Sequence, residues 1–176
     1  MAPCTVWSPF SAPTIVTELS DPACDDFHPS LTADGAWMVF SSWRAGGAGV
    51  PDLWWSAGGL ATRPTTGIAG FAIARNLDEL NTPYYDSDPF VTDDELEIWF
   101  NSDRPGGAGG HDLYVARRSS ISERFGAPER IAELSSDLDN IAATISPDGA
   151  TLYFNHATQT CCPADIWVAT RTCVDH

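Results

Sequence analysis

Asp88–Arg117 reads DPFVTDDELEIWFNSDRPGGAGGHDLYVAR and divides at its own punctuation. An apolar run meets an acidic turn, and a second run ends in Asn-Ser-Asp-Arg. A glycine loop follows, and a third run opens with Asp-Leu-Tyr. The same order of parts returns at His28–Ser56 (HPSLTADGAWMVFSSWRAGGAGVPDLWWS) and at Ala142–Arg171 (AATISPDGATLYFNHATQTCCPADIWVATR). A fixed internal period marks a repeat architecture, and it governs every later reading.

The register is close. Asp34, Asp94 and Asp148 align, as do Phe40, Phe100 and Phe154. Asp52, Asp112 and Asp165 align ahead of the third run, each followed by Leu or Ile and then Trp or Tyr. Gly46, Gly47 and Gly49 match Gly106, Gly107 and Gly109, whereas the third copy has Thr158–Pro163 in this place. Asp-Gly between apolar runs is a strong hairpin signal, because both residues accept the positive φ such turns need. The three runs of each copy are therefore antiparallel strands A, B and C. The spacing predicts A, B and C over Phe27–Thr32, Ala36–Ser42 and Asp52–Ser56, then Tyr85–Val91, Leu96–Asn101 and Asp112–Ala116, then Ile141–Ser146, Thr151–Asn155 and Asp165–Ala169. A fourth strand, D, is expected at Phe71–Leu80 and Glu129–Leu134, and a like segment at Thr14–Leu19 is read as a strand too. Residues 1–13 form an irregular lead-in, and Gly58–Gly70 is the longest loop. No convincing amphipathic helix is found.

Four short antiparallel strands per repeat are the mark of a propeller blade. The pattern Pro-x-x-x-x-Asp-Gly, apolar-Phe-x-Ser-x-Arg-x-Gly-Gly, Asp-Leu-Trp resembles the TolB-like, WD-like β-propeller repeat over about residues 14 to 171. The third copy departs from it most, lacking Ser-x-Arg and Gly-Gly. The resemblance implies an all-β radial array of four-stranded blades, here three (about 27–80, 85–134 and 141–171) within a repeat domain of residues 14–176. It also implies a scaffold in an extracytoplasmic bacterial protein, periplasmic, envelope-associated or secreted, that binds protein or peptide partners. Three blades do not easily close a ring. The chain is thus expected to be part of a longer propeller, half of a dimeric six-blade ring, or an open arc.

Composition bounds the partner. The net charge is −15, with nine Arg and no Lys. Phosphate binding needs a basic surface, so nucleic acid is not expected, and cations or basic protein surfaces are better matches. The same acidity also serves solubility. No apolar run approaches the roughly 18 residues of a membrane helix, and Met1-Ala-Pro-Cys lacks the features of a signal peptide. Of the five Cys, Cys4 and Cys173 are placed to tie the ends, and Cys161 or Cys162 to reach Cys24. Such bridges imply an oxidising compartment; five reduced thiols are the other reading.

The candidate site lies ahead of strand A. Asp26, Asp86 and Asn140 form one column, Asp25, Tyr85 and Asp139 the column before it, and His28 and Asp88 another. In a propeller the innermost strand borders the channel, so these residues rim one mouth. Asp26, Asp86, Asp88, Asp139 and Asn140 are the ligand-binding candidates, and their oxygens suit Ca²⁺ or a polar ligand. Alternatively they cap the loops between blades. Asp52, Asp112 and Asp165 are read as structural, accepting bonds from loop amides or from the Ser-x-Arg of their own blade. Asp34, Asp94 and Asp148 are turn residues, and His111 and His156 loop residues. Trp7 and Trp43 are candidates for exposure.

No Gly-x-Ser-x-Gly, P-loop, dinucleotide fingerprint or His-Glu-x-x-His is present. The expected function is a non-enzymatic scaffold binding a protein or peptide. The alternative is a carbohydrate-active or other hydrolase drawing on Asp26, Asp86, Asp88 or Asp139.

Overall fold

A computed structural model describes residues 8–58, 70–157 and 164–173. Its strands are β1 (Asp26–Leu31), β2 (Trp37–Ser42), β3 (Asp52–Ala57), β4 (Arg75–Asn76), β5 (Asp86–Val91), β6 (Glu97–Ser102), β7 (Asp112–Arg117), β8 (Glu129–Arg130), β9 (Asn140–Ile145), β10 (Thr151–Ala157) and β11 (Ala164–Thr170). They form three antiparallel sheets in the orders β1-β2-β3-β4, β5-β6-β7-β8 and β9-β10-β11. These are the three blades expected from the repeats, with strands A, B and C in place. The innermost strands of neighbouring blades approach one another, β1 to β5 and β5 to β9.

Strand D is shorter than expected, two residues in blades 1 and 2. Thr14–Leu19 is not a strand. Its second half is a turn in which the Leu19 and Ser20 amides donate to the Val16 carbonyl, both at 3.1 Å. Asp78–Leu80 makes the same turn, and Ala132–Leu134 a 3-10 turn. The apolar residues of these segments misled the strand reading. Leu80 sits on a turn wedged between blades 1 and 2 and Leu19 on one packed against blade 1, and both are buried.

Alternation within each strand gives every blade two apolar faces, and stacking buries them in pairs. Val39 and Leu53 of blade 1 pack with Ile98, Phe100 and Tyr114 of blade 2. Trp99, Leu113 and Val115 of blade 2 pack with Leu152 and Phe154 of blade 3.

The glycine loop has a steric cause. Asp52 and Asp112 are buried, and each turns its carboxylate back beneath the loop to accept backbone amides, from Gly49 at 3.1 Å and from Ala108 at 2.6 Å. A Cβ on Gly47 would lie 1.5 Å from Asp52 Oδ2, and one on Gly107 2.4 Å from Asp112 Oδ2. Of the two bonds expected for these aspartates, the loop amides form. The Ser-x-Arg guanidinium goes elsewhere. Burial raises the pKa of Asp52; the Gly49 and Ala48 amides work against this, and Asp86 adds to it. Asp165 is exposed in the blade that lacks the glycines.

The turn aspartates act as expected. Asp34, Asp94 and Asp148 each accept the amide two residues on and the hydroxyl two residues back. Cys4, Cys161, Cys162, Trp7 and residues 59–69 lie outside the described residues, and with them the bridges expected of Cys24 and Cys173.

Candidate functional site at the channel mouth

Each innermost strand carries an irregularity at the same place. His28, Asp88 and Ala142 have φ of 50°, 53° and 53°, in the left-handed region. The pairing with strand B shifts register around each of them. Pro29 and Pro89 follow the first two and cannot donate to the ladder, which suits a bulge. A bulge re-aims the side chains around it, and here it brings His28 of blade 1 to Asp88 of blade 2.

These two side chains meet through His28 Nδ1 and Asp88 Oδ1. His28 is 55% exposed and Asp88 10%. The Asp88 amide donates to Ser41 Oγ at 3.1 Å, and Ser41 and Ser87 share a hydrogen bond of 3.0 Å across the blade boundary. With its amide oriented to satisfy both ends, Asn101 donates to Asp88 Oδ2 at 2.6 Å. Burial raises the pKa of Asp88; His28, Ser87 and His111 oppose the shift without cancelling it.

Beside this pair, His111 Nδ1 lies 2.8 Å from Asp139 Oδ1, which also accepts the His111 amide at 2.9 Å. Burial pushes the Asp139 pKa up, but the bonds and charge of His111 hold it below the usual carboxylate value. The His111 ring packs edge-on to Tyr85, centroids 4.8 Å apart. Burial raises the pKa of Tyr85, and Asp88 and Asp103 add to the shift against a bond with Ser87. Trp43 and Tyr84, 47% and 44% exposed, lie at the same end of the blades.

The column Asp26, Asp86 and Asn140 has a different setting. Arg104 Nη2 donates to Asp86 Oδ1 at 2.6 Å and to the Leu80 carbonyl at 2.8 Å, and its Nε donates to Ser102 Oγ at 3.0 Å. The same guanidinium sits over Phe100 and Tyr114, 5.1 and 4.8 Å from the ring centroids. Asp86 also accepts the Thr82 amide and hydroxyl at 2.6 and 2.8 Å. Blade 1 repeats the latch with Arg44, Asp26, Leu19 and Ser42, over Phe40 and Trp54. Burial pushes the Asp26 pKa up, but bonds from Ser42, Arg44 and the Asp21 amide together bring it below the ordinary value. In blade 3, Asn140 replaces the aspartate, and its Oδ1 accepts from His156 Nδ1 at 2.6 Å. The His156 ring lies 4.8 Å from Trp167, so an imidazole stands where the other blades place a guanidinium.

The candidates thus separate into two groups. Asp26, Asp86 and Asn140 join strand A to the preceding turn, and a cation at this column would have to displace a guanidinium from each carboxylate. Asp88 and Asp139 gather with His28, His111 and Tyr85 in a second cluster. Sequence reasoning gave the Ser-x-Arg arginines to Asp52 and Asp112, put His28 in one column with Asp88, and read His111 as a loop residue outside the site. The repeats held a signal for the first: Asp, Asp, Asn in one column changes together with Arg, Arg and their loss in the third copy.

No protein-family model matches the chain, and no curated protein does. Solved structures do. A TolB from Acinetobacter baumannii superposes with a TM-score of 0.55 at 21% identity, covering 81% of this chain and 29% of that one. A candidate TolB from Agrobacterium tumefaciens gives 0.52 at 17% identity, covering 83% and 46%. The chain therefore spans less than half the length of the structures it matches. Repeated blades, innermost bulges and these superpositions together give the described residues the fold of a TolB-like β-propeller, of which this chain forms three blades.

Proposed function

We propose that this chain is a non-enzymatic, extracytoplasmic propeller scaffold that receives a basic protein or peptide segment at the channel mouth, within a ring completed by a second copy. One observation carries the reading. Asp86 is buried and Asp26 half-buried, each held by an arginine, while the exposed side chains nearby are the aromatic or imidazole groups His28, Trp43 and Tyr84 together with the carboxylate of Asp139. Aromatic anchors above an acidic floor suit a segment carrying positive charge. The net charge of −15 favours such a partner at long range. The extracytoplasmic setting rests on the likeness to TolB structures. Among the described residues, no helix is long and apolar enough to cross a membrane.

The test is selection of a displayed random-peptide library on the wild-type protein, followed by affinity measurement on His28→Ala with Asp88→Asn and on Trp43→Ala. Basic peptides should be enriched and should lose at least tenfold in affinity on both variants. A library that yields no binder would overturn the reading. So would turnover of a glycan panel that Asp88→Asn abolishes, which is the outcome the hydrolase alternative requires.

A further inference from the structure

Two interfaces between blades are complete, and a third is half built. In the first, Leu77 and Leu80 of the connecting turn are wedged between the Val39–Leu53 face of blade 1 and the Ile98–Phe100 face of blade 2. In the second, Ile131 and Leu134 take the same position between blades 2 and 3. A third cluster holds Phe40 and Trp54 of blade 1, with Val16 and Leu19 as the wedge. Among the described residues no blade face opposes it.

The complementary half stands on blade 3. By register, Tyr153 corresponds to Val39 and Trp99, Ile166 to Leu53 and Leu113, and Val168 to Trp55 and Val115. These positions face the next blade in blades 1 and 2. Here they are 48%, 79% and 57% exposed. The outer edge of β11 has no strand paired to it among the described residues, whereas β3 and β7 each pair with a two-residue outer strand. The sequence equivalent of those outer strands is Thr14–Ile15, just before the Val16–Leu19 turn, which is exposed and in no sheet.

We propose that two copies of the chain exchange these parts. Thr14–Ile15 of each copy adds as an outer strand to β11 of the other. The Phe40–Trp54 face, with Val16 and Leu19, then seats on Tyr153, Ile166 and Val168. The register follows from the intact blades, where Trp54 faces Asn76 and Tyr114 faces Arg130. Ile15 lies opposite Trp167, and Thr14 opposite Val168. The Val16 amide donates to the Ile166 carbonyl, as Leu77 does to Leu53 at 3.0 Å and Ile131 to Leu113 at 2.9 Å. The second copy is the occupant because the two unpaired halves complement each other by the same register that builds the two complete interfaces. Two such contacts related by a twofold axis close the ring and leave no half-built interface for further addition. This inference rests on the ring completion proposed above. It is independent of what the mouth binds.

The test is solution mass by light scattering on the whole chain, with hydrogen exchange at the Val16 amide. The expected mass is twice 18.9 kDa, with Val16 protected. Ile166→Asp with Val168→Asp should give single chains with an unchanged β-sheet circular dichroism spectrum and an exchanging Val16 amide. If that variant fails to fold, removal of residues 1–15 serves instead and must also give single chains. A wild-type mass of one chain overturns the proposal. So does a ladder of larger assemblies, or a dimer that survives removal of residues 1–15. Peptide affinity at the mouth, measured on the same samples, reports separately on the binding reading.

Discussion

Arg104 Nη2 lies 2.6 Å from Asp86 Oδ1, beneath a surface that leaves the aspartate side chain 0% exposed. Arg104 also donates to the Ser102 hydroxyl and the Leu80 carbonyl, and Asp86 accepts the Thr82 amide and hydroxyl, so the pair is a joint between strand A and the preceding turn. Removing one partner strands the other. Arg104→Met should cost about 3–5 kcal/mol in urea unfolding, because a buried carboxylate loses its countercharge. Arg104→Met with Asp86→Asn should cost less than the sum of the single changes, since the stranded charge is gone.

Gly107 tests the packing of the neighbouring loop. Its missing Cβ leaves room for Asp112 Oδ2. Gly107→Ala should destabilise by about 1–3 kcal/mol, the usual range for overpacking. In an Asp112→Ala background the same change should be nearly neutral. A full cost in both backgrounds would show that the aspartate is not the reason for the glycine.

Glu95 stands where the other two copies have the glycine of the hairpin turn, and its φ is 62°. Glu95→Gly relieves a left-handed conformation worth about 1–2 kcal/mol. The Glu95 carboxylate, however, accepts from Trp37 Nε1 across the blade boundary and lies 3.7 Å from Arg118. Unpartnering two such groups costs about 1–3 kcal/mol each. The net effect of Glu95→Gly should be destabilising, while Gly35→Glu in blade 1 should show the strain without the compensation. A thermal melt of the two variants settles the order.

Asp88 and Asp139 should titrate in opposite directions from the ordinary carboxylate value, as read by carboxyl carbon shifts. Asp139 is lowered, so its contribution to stability is present above the unfolded value and is lost as pH falls through the folded one. Asp88 is raised, so its contribution declines as pH rises from the unfolded value through the folded one. Asp88→Asn should therefore remove a fall in stability over that second window.

Calcium gives a further check on the column of Asp26, Asp86 and Asn140. If these oxygens take Ca²⁺ in place of the guanidinium groups, millimolar Ca²⁺ will raise the melting midpoint. The arginine joints lead us to expect no shift, and a rise that Asp86→Asn abolishes would overturn their assignment as joints.

The blades were legible because strand A, the hairpin turn, strand B and strand C each carry a local signature, and three copies kept it in register. Strand D was misread in length because Leu19, Leu80 and Leu134 have the apolar character of strand residues, but they pack on blade faces, Leu19 and Leu80 buried and Leu134 partly so, rather than in a ladder. The candidate site was legible only in part. Its columns came from alignment, yet the partners of Asp26 and Asp86 depend on where a long arginine side chain reaches. The His28–Asp88 pair depends on a bulge that neither residue announces.

The arginine joint also bears on how the chain acquires its structure. Arg104 reaches back 18 residues to Asp86 and 24 to Leu80, so each joint closes within about one repeat of chain. Contacts of this span form early and with modest entropic cost. A blade can be locked as soon as its own strand B exists, without waiting for the next. Folding can then proceed along the ribosome's direction of synthesis, one latched unit at a time. Blade 3, where histidine and asparagine stand in for the charged joint, emerges after blades 1 and 2 and is the first of the three expected to open.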